Sequence, residues 1–283
     1  MRERIVLLGT KGGPAIRPGG PSPTSSLVET GGRVIAVDCA LGVSRGIVNA
    51  GVALKELSHV LVTHLHSDHV LELGGLIHTA WTSGLAAPVK VYGPRGTADV
   101  WHGFLASLMV DISTRIVDEG RPVLADLVFV TEIDEGLVLD EPGLRVEALR
   151  VPHPPLADCF AFRVEMPSGV VVFSGDTAFH PPLARFAQGA DLLIHEAMLP
   201  EGLESIIRRT GNGTRLREHL VASHTFAADV GRIATMAGVK RLALNHMIPA
   251  DDPEFTEAHW RAAVAETYAG ELIVGRDGLD IRL

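Results

Sequence analysis

Residues 60–69 read Val60-Leu61-Val62-Thr63-His64-Leu65-His66-Ser67-Asp68-His69, an apolar run that opens into three histidines and a carboxylate. Val60–Thr63 has the length and β-branched content of a short buried strand. On a loop at a strand's end, side chains can converge on one point instead of alternating across a sheet. Imidazole suits zinc and related ions, and a carboxylate adds a hard oxygen donor. Four ionisable groups packed this closely would repel one another, or stay unsatisfied, if buried without a cation. The run therefore reads as part of a metal site.

One local cluster cannot close a site for two metals, and the same strand-then-ligand grammar recurs further along the chain. His153 lies in Val151-Pro152-His153-Pro154-Pro155, where prolines stiffen the backbone on both sides. Asp176 follows the apolar run Val172-Phe173-Ser174-Gly175, and His246 ends Leu242-Ala243-Leu244-Asn245.

In this order, H-x-H-x-D-H, a lone His, Ser-Gly-Asp and a C-terminal His, the chain resembles the metallo-β-lactamase superfamily from its first hairpin to its last strand. The resemblance implies a four-layer αβ/βα sandwich, two mixed sheets flanked by helices, with a dinuclear site. It implies that His64, His66 and His153 hold one divalent ion, and Asp68, His69 and His246 the other, with Asp176 bridging. Zinc is the usual metal, and manganese or iron would suit the same donors. Ile194-His195-Glu196-Ala197 and Ser223-His224-Thr225 resemble paired motifs of the ribonuclease Z and arylsulfatase-like branch. There, Glu196 and His224 would act together at the leaving group while Asp68 orients a metal-activated hydroxide. The stretch through Tyr92-Gly93-Pro94, Trp101–Gly103 and Asp111–Arg115 looks closer to the arylsulfatase-like members.

Composition narrows the class. The 283 residues are 46% hydrophobic and 21% charged, enough for a large core, and no repeat or linker divides them, so one metallo-hydrolase domain over 1–283 is expected. Cys39 and Cys159 are the only cysteines, which leaves no disulfide framework and no C-x-x-C zinc site. No stretch reaches membrane-span length, and the apolar run after Met1-Arg2-Glu3-Arg4 breaks at Gly9, shorter than the apolar core of a leader; a cytoplasmic location is the default expectation. Net charge is −9, with no long lysine or arginine run. A binder of nucleic acid usually presents a positive surface, and no tRNA-gripping arm is recognisable in 97–150. The expectation is a small-molecule ester substrate, phosphodiester or aryl sulfate, with nucleic acid an unlikely partner and a homodimer implied by the resemblance. Lactone or β-lactam hydrolysis, tRNA 3′-processing and a non-catalytic metal module are the alternatives.

Along the chain, helices are expected near 44–55, 70–80, 97–110 continuing to about 117, 181–188, 225–237 and 254–268. Residues 26–37 read as a hairpin, and 271–283 as a closing one. The Pro/Gly-rich segment 11–23 reads as a flexible loop beside a pocket, without the G-x-G-x-x-G spacing of a dinucleotide site. His59, His78, His102, His180, His219 and His259 read as structural or solvated, His195 as a support for the site. Trp81, Trp101 and Phe104 read as core.

Overall fold

The computed structural model describes residues 3–283; Met1 and Arg2, at the head of the run read for a leader, lie outside them. Six strands open the chain: β1 (Arg4–Gly9), β2 (Ser25–Thr30), β3 (Arg33–Val37), β4 (Leu57–Leu61), β5 (Val89–Gly93) and β6 (Val128–Glu132). Seven more form a second sheet: β7 (Gly136–Glu141), β8 (Leu144–Arg150), β9 (Phe160–Met166), β10 (Gly169–Phe173), β11 (Leu192–Met198), β12 (Arg241–Ile248) and β13 (Glu271–Val274). β14 (Leu279–Ile281) returns to the first sheet, whose order is β14-β1-β2-β3-β4-β5-β6. The second runs β13-β12-β11-β10-β9-β8-β7. Both are mixed, antiparallel on one side and parallel on the other.

Alternation along the strands explains the layering. Ile5 and Leu7 of β1 join a core between the sheets, where they meet Phe160, Phe162 and Ile194, while Val6 and Leu8 face helices. On the outside of the first sheet lie α1 (Val43–Asn49), α2 (Ser67–Val70), α3 (Leu73–Thr82), α4 (Thr97–Ser107) and α5 (Met109–Glu119). The second half carries α6 (Pro181–Phe186), α7 (Leu203–Thr210), α8 (Leu216–Ser223), α9 (Ala227–Ala237) and α10 (Glu257–Ala265). Of these, α6, α9 and α10 cover the second sheet through Leu183, Ile233 and Val264. The result is the expected αβ/βα sandwich.

Several elements depart from expectation. The helix read over 97–117 is two, α4 and α5, parted at Leu108. The closing hairpin does not form: β13 pairs with β12 in one sheet, and β14 with β1 in the other. A two-sided apolar core rewards each strand for joining a different sheet, which overrides the short turn between them. Helices α7 and α8 are additional to the expected set. Their apolar side packs on a small cluster of Met198, Leu203, Leu220 and Ile248, and at eight residues each they are shorter than the stretch over which a helical period is read. Trp81 and Trp101 are core, as expected, and Phe104 packs against it partly buried. Among the described residues no helix is long and apolar enough to cross a membrane.

Candidate metal and active site

The parallel strands β3, β4, β10, β11 and β12 deliver their C-terminal ends to one edge of the sandwich. In open α/β sheets such ends line the ligand crevice. His64 and His66 follow β4, and Asp68 and His69 sit on the first turns of α2. His153 follows β8, and Asp176 follows β10 across Gly175, whose φ of 59° and close approach to the Phe160 carbonyl leave no room for a side chain. His246 lies inside β12 at a register shift opposite Glu196 and Ala197, with φ of 41°. A bulge re-aims the side chain it carries, here into the cluster instead of across the sheet.

All seven residues come together as two donor sets. Ligand atoms of His64, His66 and His153 lie within 4.8 Å of one another, as do those of Asp68, His69, Asp176 and His246. Asp176 stands between the sets. Its Oδ2 is 3.0 Å from His246 Nε2, 3.3 Å from His69 Nε2, 3.8 Å from His64 Nε2 and 3.9 Å from His153 Nε2. Buried His69 Nε2 and Asp176 Oδ1 have no hydrogen-bond partner. Buried polar atoms of this kind need an explanation, and a cation shared by these donors fits them. The donor set therefore suits two divalent ions.

Outer hydrogen bonds set the tautomers. The Thr63 hydroxyl has one proton, and Asp38 takes it at 2.9–3.0 Å. His64 Nδ1–H then donates to Thr63 Oγ1 at 3.1 Å, freeing Nε2 as a ligand atom. His153 Nδ1–H donates to the Ser223 carbonyl at 2.9 Å, with the same effect. His69 Nδ1 donates to Asp38 Oδ2 at 2.8 Å. Burial drives the His64 pKa well below its ordinary value and lowers that of His153 to about 4, so both imidazoles are neutral, as metal ligands must be. Burial opposes the charged form of His69 too, but the Asp176 and Asp38 carboxylates outweigh it and push that pKa well up.

Asp38 is the residue that sequence reading missed. It ends β3 with φ of 61° and also accepts the Thr63 N–H at 2.8 Å. A lone aspartate beyond a strand looks like any turn residue, and only its position against His69 reveals its task.

Glu196 and His224 meet. His224 Nδ1 lies 3.1 Å from Glu196 Oε1 and 3.2 Å from Oε2, and Oε1 also accepts the Thr177 N–H at 2.8 Å. Burial disfavours an imidazolium, yet the Glu196 carboxylate outweighs it and lifts the His224 pKa to about 9. For Glu196, burial raises the pKa and the His224 charge opposes it. The raised pKa favours the imidazolium form, with Nδ1–H directed at the Glu196 carboxylate. His195 points its Nδ1–H to the Glu196 carbonyl at 2.7 Å.

His66, Asp68, Asp176, His224 and His246 line a cavity of about 360 Å³. Its walls are the segment Lys11–Ala15 on one side and Ile206, Leu216 and Leu220 of α7 and α8 on the other. The opening segment is thus a loop beside the pocket, as expected, and it is anchored at its first residues. Lys11 N–H donates to the Ser22 carbonyl and Gly12 N–H to the Met247 carbonyl, each at 3.0 Å. A Cβ on Gly12 would lie 2.9 Å from the His246 ring, so only glycine lets the segment pass. His219, read as structural, also lines this cavity, its Nδ1 3.3 Å from Ser223 Oγ.

Two seven-stranded sheets with paired donor sets at their strand ends define a metal-dependent hydrolase of the metallo-β-lactamase fold. A ribonuclease Z from Mycobacterium sp. (strain KMS) is 35% identical over 276 residues, 96% of this chain and 93% of that protein. Among solved structures, the metallo-β-lactamase fold protein YhfI from Bacillus subtilis aligns with a TM-score of 0.71 at 20% identity, covering 99% of each chain. Human tRNase Z, short form, aligns at 0.68 and 18% identity, covering 98% of each. The chain belongs to the ribonuclease Z branch of the metallo-β-lactamase superfamily, and residues 4–207 place it in the family described as anti-Pycsar protein Apyc1.

The ribonuclease relatives overturn one expectation, that the substrate is a small ester and nucleic acid an unlikely partner. Net charge is a whole-molecule sum, whereas phosphates respond to charge within a Debye length. Residues 208–217 carry Arg208, Arg209, Arg215 and Arg217 with no acid among them, and Thr210 and Leu216 of the same stretch line the cavity. The negative total concealed this local excess.

Proposed function

We propose that the chain is a two-metal endoribonuclease of the tRNA 3′-processing kind, holding zinc or a similar ion through His64, His66 and His153 and through Asp68, His69 and His246, with Asp176 between. The observation that carries this reading is the buried Glu196–His224 pair beside the donor cluster. A ribose oxygen is a poor leaving group and needs a proton, whereas an activated aryl ester does not. The 35% identity to a ribonuclease Z supports the same choice.

Bound divalent ions supply Lewis acidity toward the phosphoryl oxygens and lower the pKa of water. The chain's own residues do the rest. Asp68 Oδ2 is engaged by the Gly13 N–H at 2.8 Å and lies 3.3 Å from His246 Nε2, while Oδ1 stays clear to orient the attacking water and take its proton. Glu196 holds the His224 ring by Nδ1, so Nε2 carries the proton delivered to the leaving oxygen. The apolar wall of Ile206, Leu216 and Leu220 excludes water from one side.

The test is cleavage of precursor tRNA by metal-replete protein, with a chelator control; no cleavage sinks the reading. His224→Ala should lose about 10²–10⁴-fold in kcat on RNA while keeping its metal, and lose far less on bis(4-nitrophenyl) phosphate. Equal losses on both substrates would remove His224 as the proton donor.

A further inference from the structure

Lys11 is a charged side chain with only 5% of its surface exposed, on the wall of the active cavity. Its ammonium donates to the Gly12 and Gly13 carbonyls, both at 2.9 Å. Among the described residues no carboxylate lies within ion-pair distance of it, and its third proton has no protein acceptor. Carbonyl oxygens satisfy hydrogen bonds but do not neutralise a charge, and a buried unneutralised ammonium is costly. The surroundings add to the excess. Arg17, also on the cavity wall, lies 2.8 Å from Asp251, but Arg209 claims the same carboxylate at 3.0 Å. Three cations on this side thus share Asp251, Asp252, which lies 3.6 Å from Arg209, and Asp68, itself one of the candidate metal donors.

Such a cation has two explanations. It can be a tie that shapes the segment, or it can await an anion from outside. The tie alone would not need a charge, since a neutral donor could bridge two carbonyls at no desolvation cost of this size. Lys11 is not one of the candidate metal donors, yet it lines the same cavity as Asp68, Asp176 and His246. The Gly13 N–H donates to Asp68 Oδ2 at 2.8 Å, which ties the 11–13 segment to the edge of the donor cluster. A strand whose scissile phosphate sat among those donors would therefore bring a neighbouring phosphate to the Lys11 side of the cavity.

We propose that Lys11, backed by Arg17, is a binding residue for a non-scissile phosphate of the RNA strand, one link away from the bond that breaks. The inference rests on the ribonuclease reading above and adds to it a second anionic subsite, which sets a preference for substrates with consecutive phosphates. It also explains a buried charge at a position where stability alone favours an apolar residue.

Lys11→Met keeps the length of the side chain and removes the charge. In metal-replete protein, it should raise KM for an RNA oligonucleotide about tenfold or more with a much smaller change in kcat. The effect on bis(4-nitrophenyl) phosphate, which has a single phosphate, should be several-fold smaller. For the wild-type enzyme, an oligonucleotide with uncharged methylphosphonates flanking the scissile link should be as poor as the native strand is for Lys11→Met. Placing the methylphosphonate on the 5′ or the 3′ side identifies which phosphate Lys11 takes. Binding of a product trinucleotide gives a readout independent of cleavage: the salt slope should fall by roughly 0.7 when one phosphate of a single strand is no longer neutralised. Lys11→Met should also melt no lower than wild type.

Equal RNA affinity and salt slope in the two proteins overturn the proposal. So does a parallel loss of metal, melting temperature and both activities, which marks Lys11 as a structural tie. If wild type cleaves no RNA, the ribonuclease reading falls, and the trinucleotide binding comparison still decides Lys11 by itself.

Discussion

At the scale of single residues, the donors do not act alone: each is aimed by a partner on another strand. Asp38 is the clearest case, because one carboxylate orders Thr63 and through it His64, and also holds His69 directly. Asp38→Asn should weaken metal affinity by about 10–100-fold without unfolding the chain, as measured by competition with a chromogenic chelator; unchanged affinity would show that His69 is oriented without it. His195 supplies a pH effect. Burial lowers its pKa to about 4, with the Glu196 carbonyl contact opposing, against an unfolded value of about 6.5. Above pH 6.5 both states are neutral and stability is complete. As pH falls toward 4, only the unfolded chain takes the proton, so stability drops by roughly 3 kcal/mol over the window. His195→Asn retains a donor near the Glu196 carbonyl and cannot titrate. Unfolding by urea at pH 7 and 4.5, with chelator present, should show a shallower decline in the variant than in wild type.

At the scale of elements, the site is built where irregular backbone interrupts regular strands. The bulge in β12 turns His246 inward, and the left-handed Asp38 and Gly175 bend the ends of β3 and β10 toward the same point. Helices α7 and α8 play a different part. Their inner side closes the cavity with Ile206, Leu216 and Leu220, while Arg215 in the connection between them and Arg217 in the first turn of α8 lie on the exposed side. Each arginine touches a surface glutamate, Glu218 or Glu204. Exposed pairs of that kind are weak and exchange readily for phosphate. Arg215→Ala with Arg217→Ala should therefore weaken RNA binding and reduce the salt slope by about 0.7 for each phosphate left unneutralised, with turnover of bis(4-nitrophenyl) phosphate much less affected. A salt slope equal to wild type would leave these arginines as a solvated face.

At the scale of the whole molecule, the two sheets depend on one core between them. Phe160 and Phe162 on β9 lie in the middle of it with no exposed surface. Phe162→Ala should cost about 3–5 kcal/mol, read from denaturant unfolding of the metal-free protein. A loss below about 1 kcal/mol would mean that the halves are not held together through this layer. Because the donors come from both sheets, slippage between the halves also separates His64 and His69 from Asp176 and His246. The variant should then lose metal affinity as well as stability.

The sandwich, and the seven residues that it gathers into two candidate donor sets, were legible in the chain because both depend on local order. Apolar runs mark strands, and ligands follow strand ends at short, readable spacings, so His64 to His69, His153, Asp176 and His246 declare themselves before any fold is known. Glu196, inside β11, and His224, at the end of α8, do not follow that rule and were singled out by the resemblance of their motifs. What tertiary structure alone decided has no local signature. No pattern in 271–283 says that β13 and β14 join opposite sheets, since that depends on which core each strand faces. Asp38 is an ordinary aspartate until β3 brings it to His69, and Lys11 is an ordinary lysine until it and Gly12 are packed against β12. Net charge is a poor guide to partners for the same reason: a phosphate responds to the charges that a fold gathers at one cavity, not to the sum over the sequence.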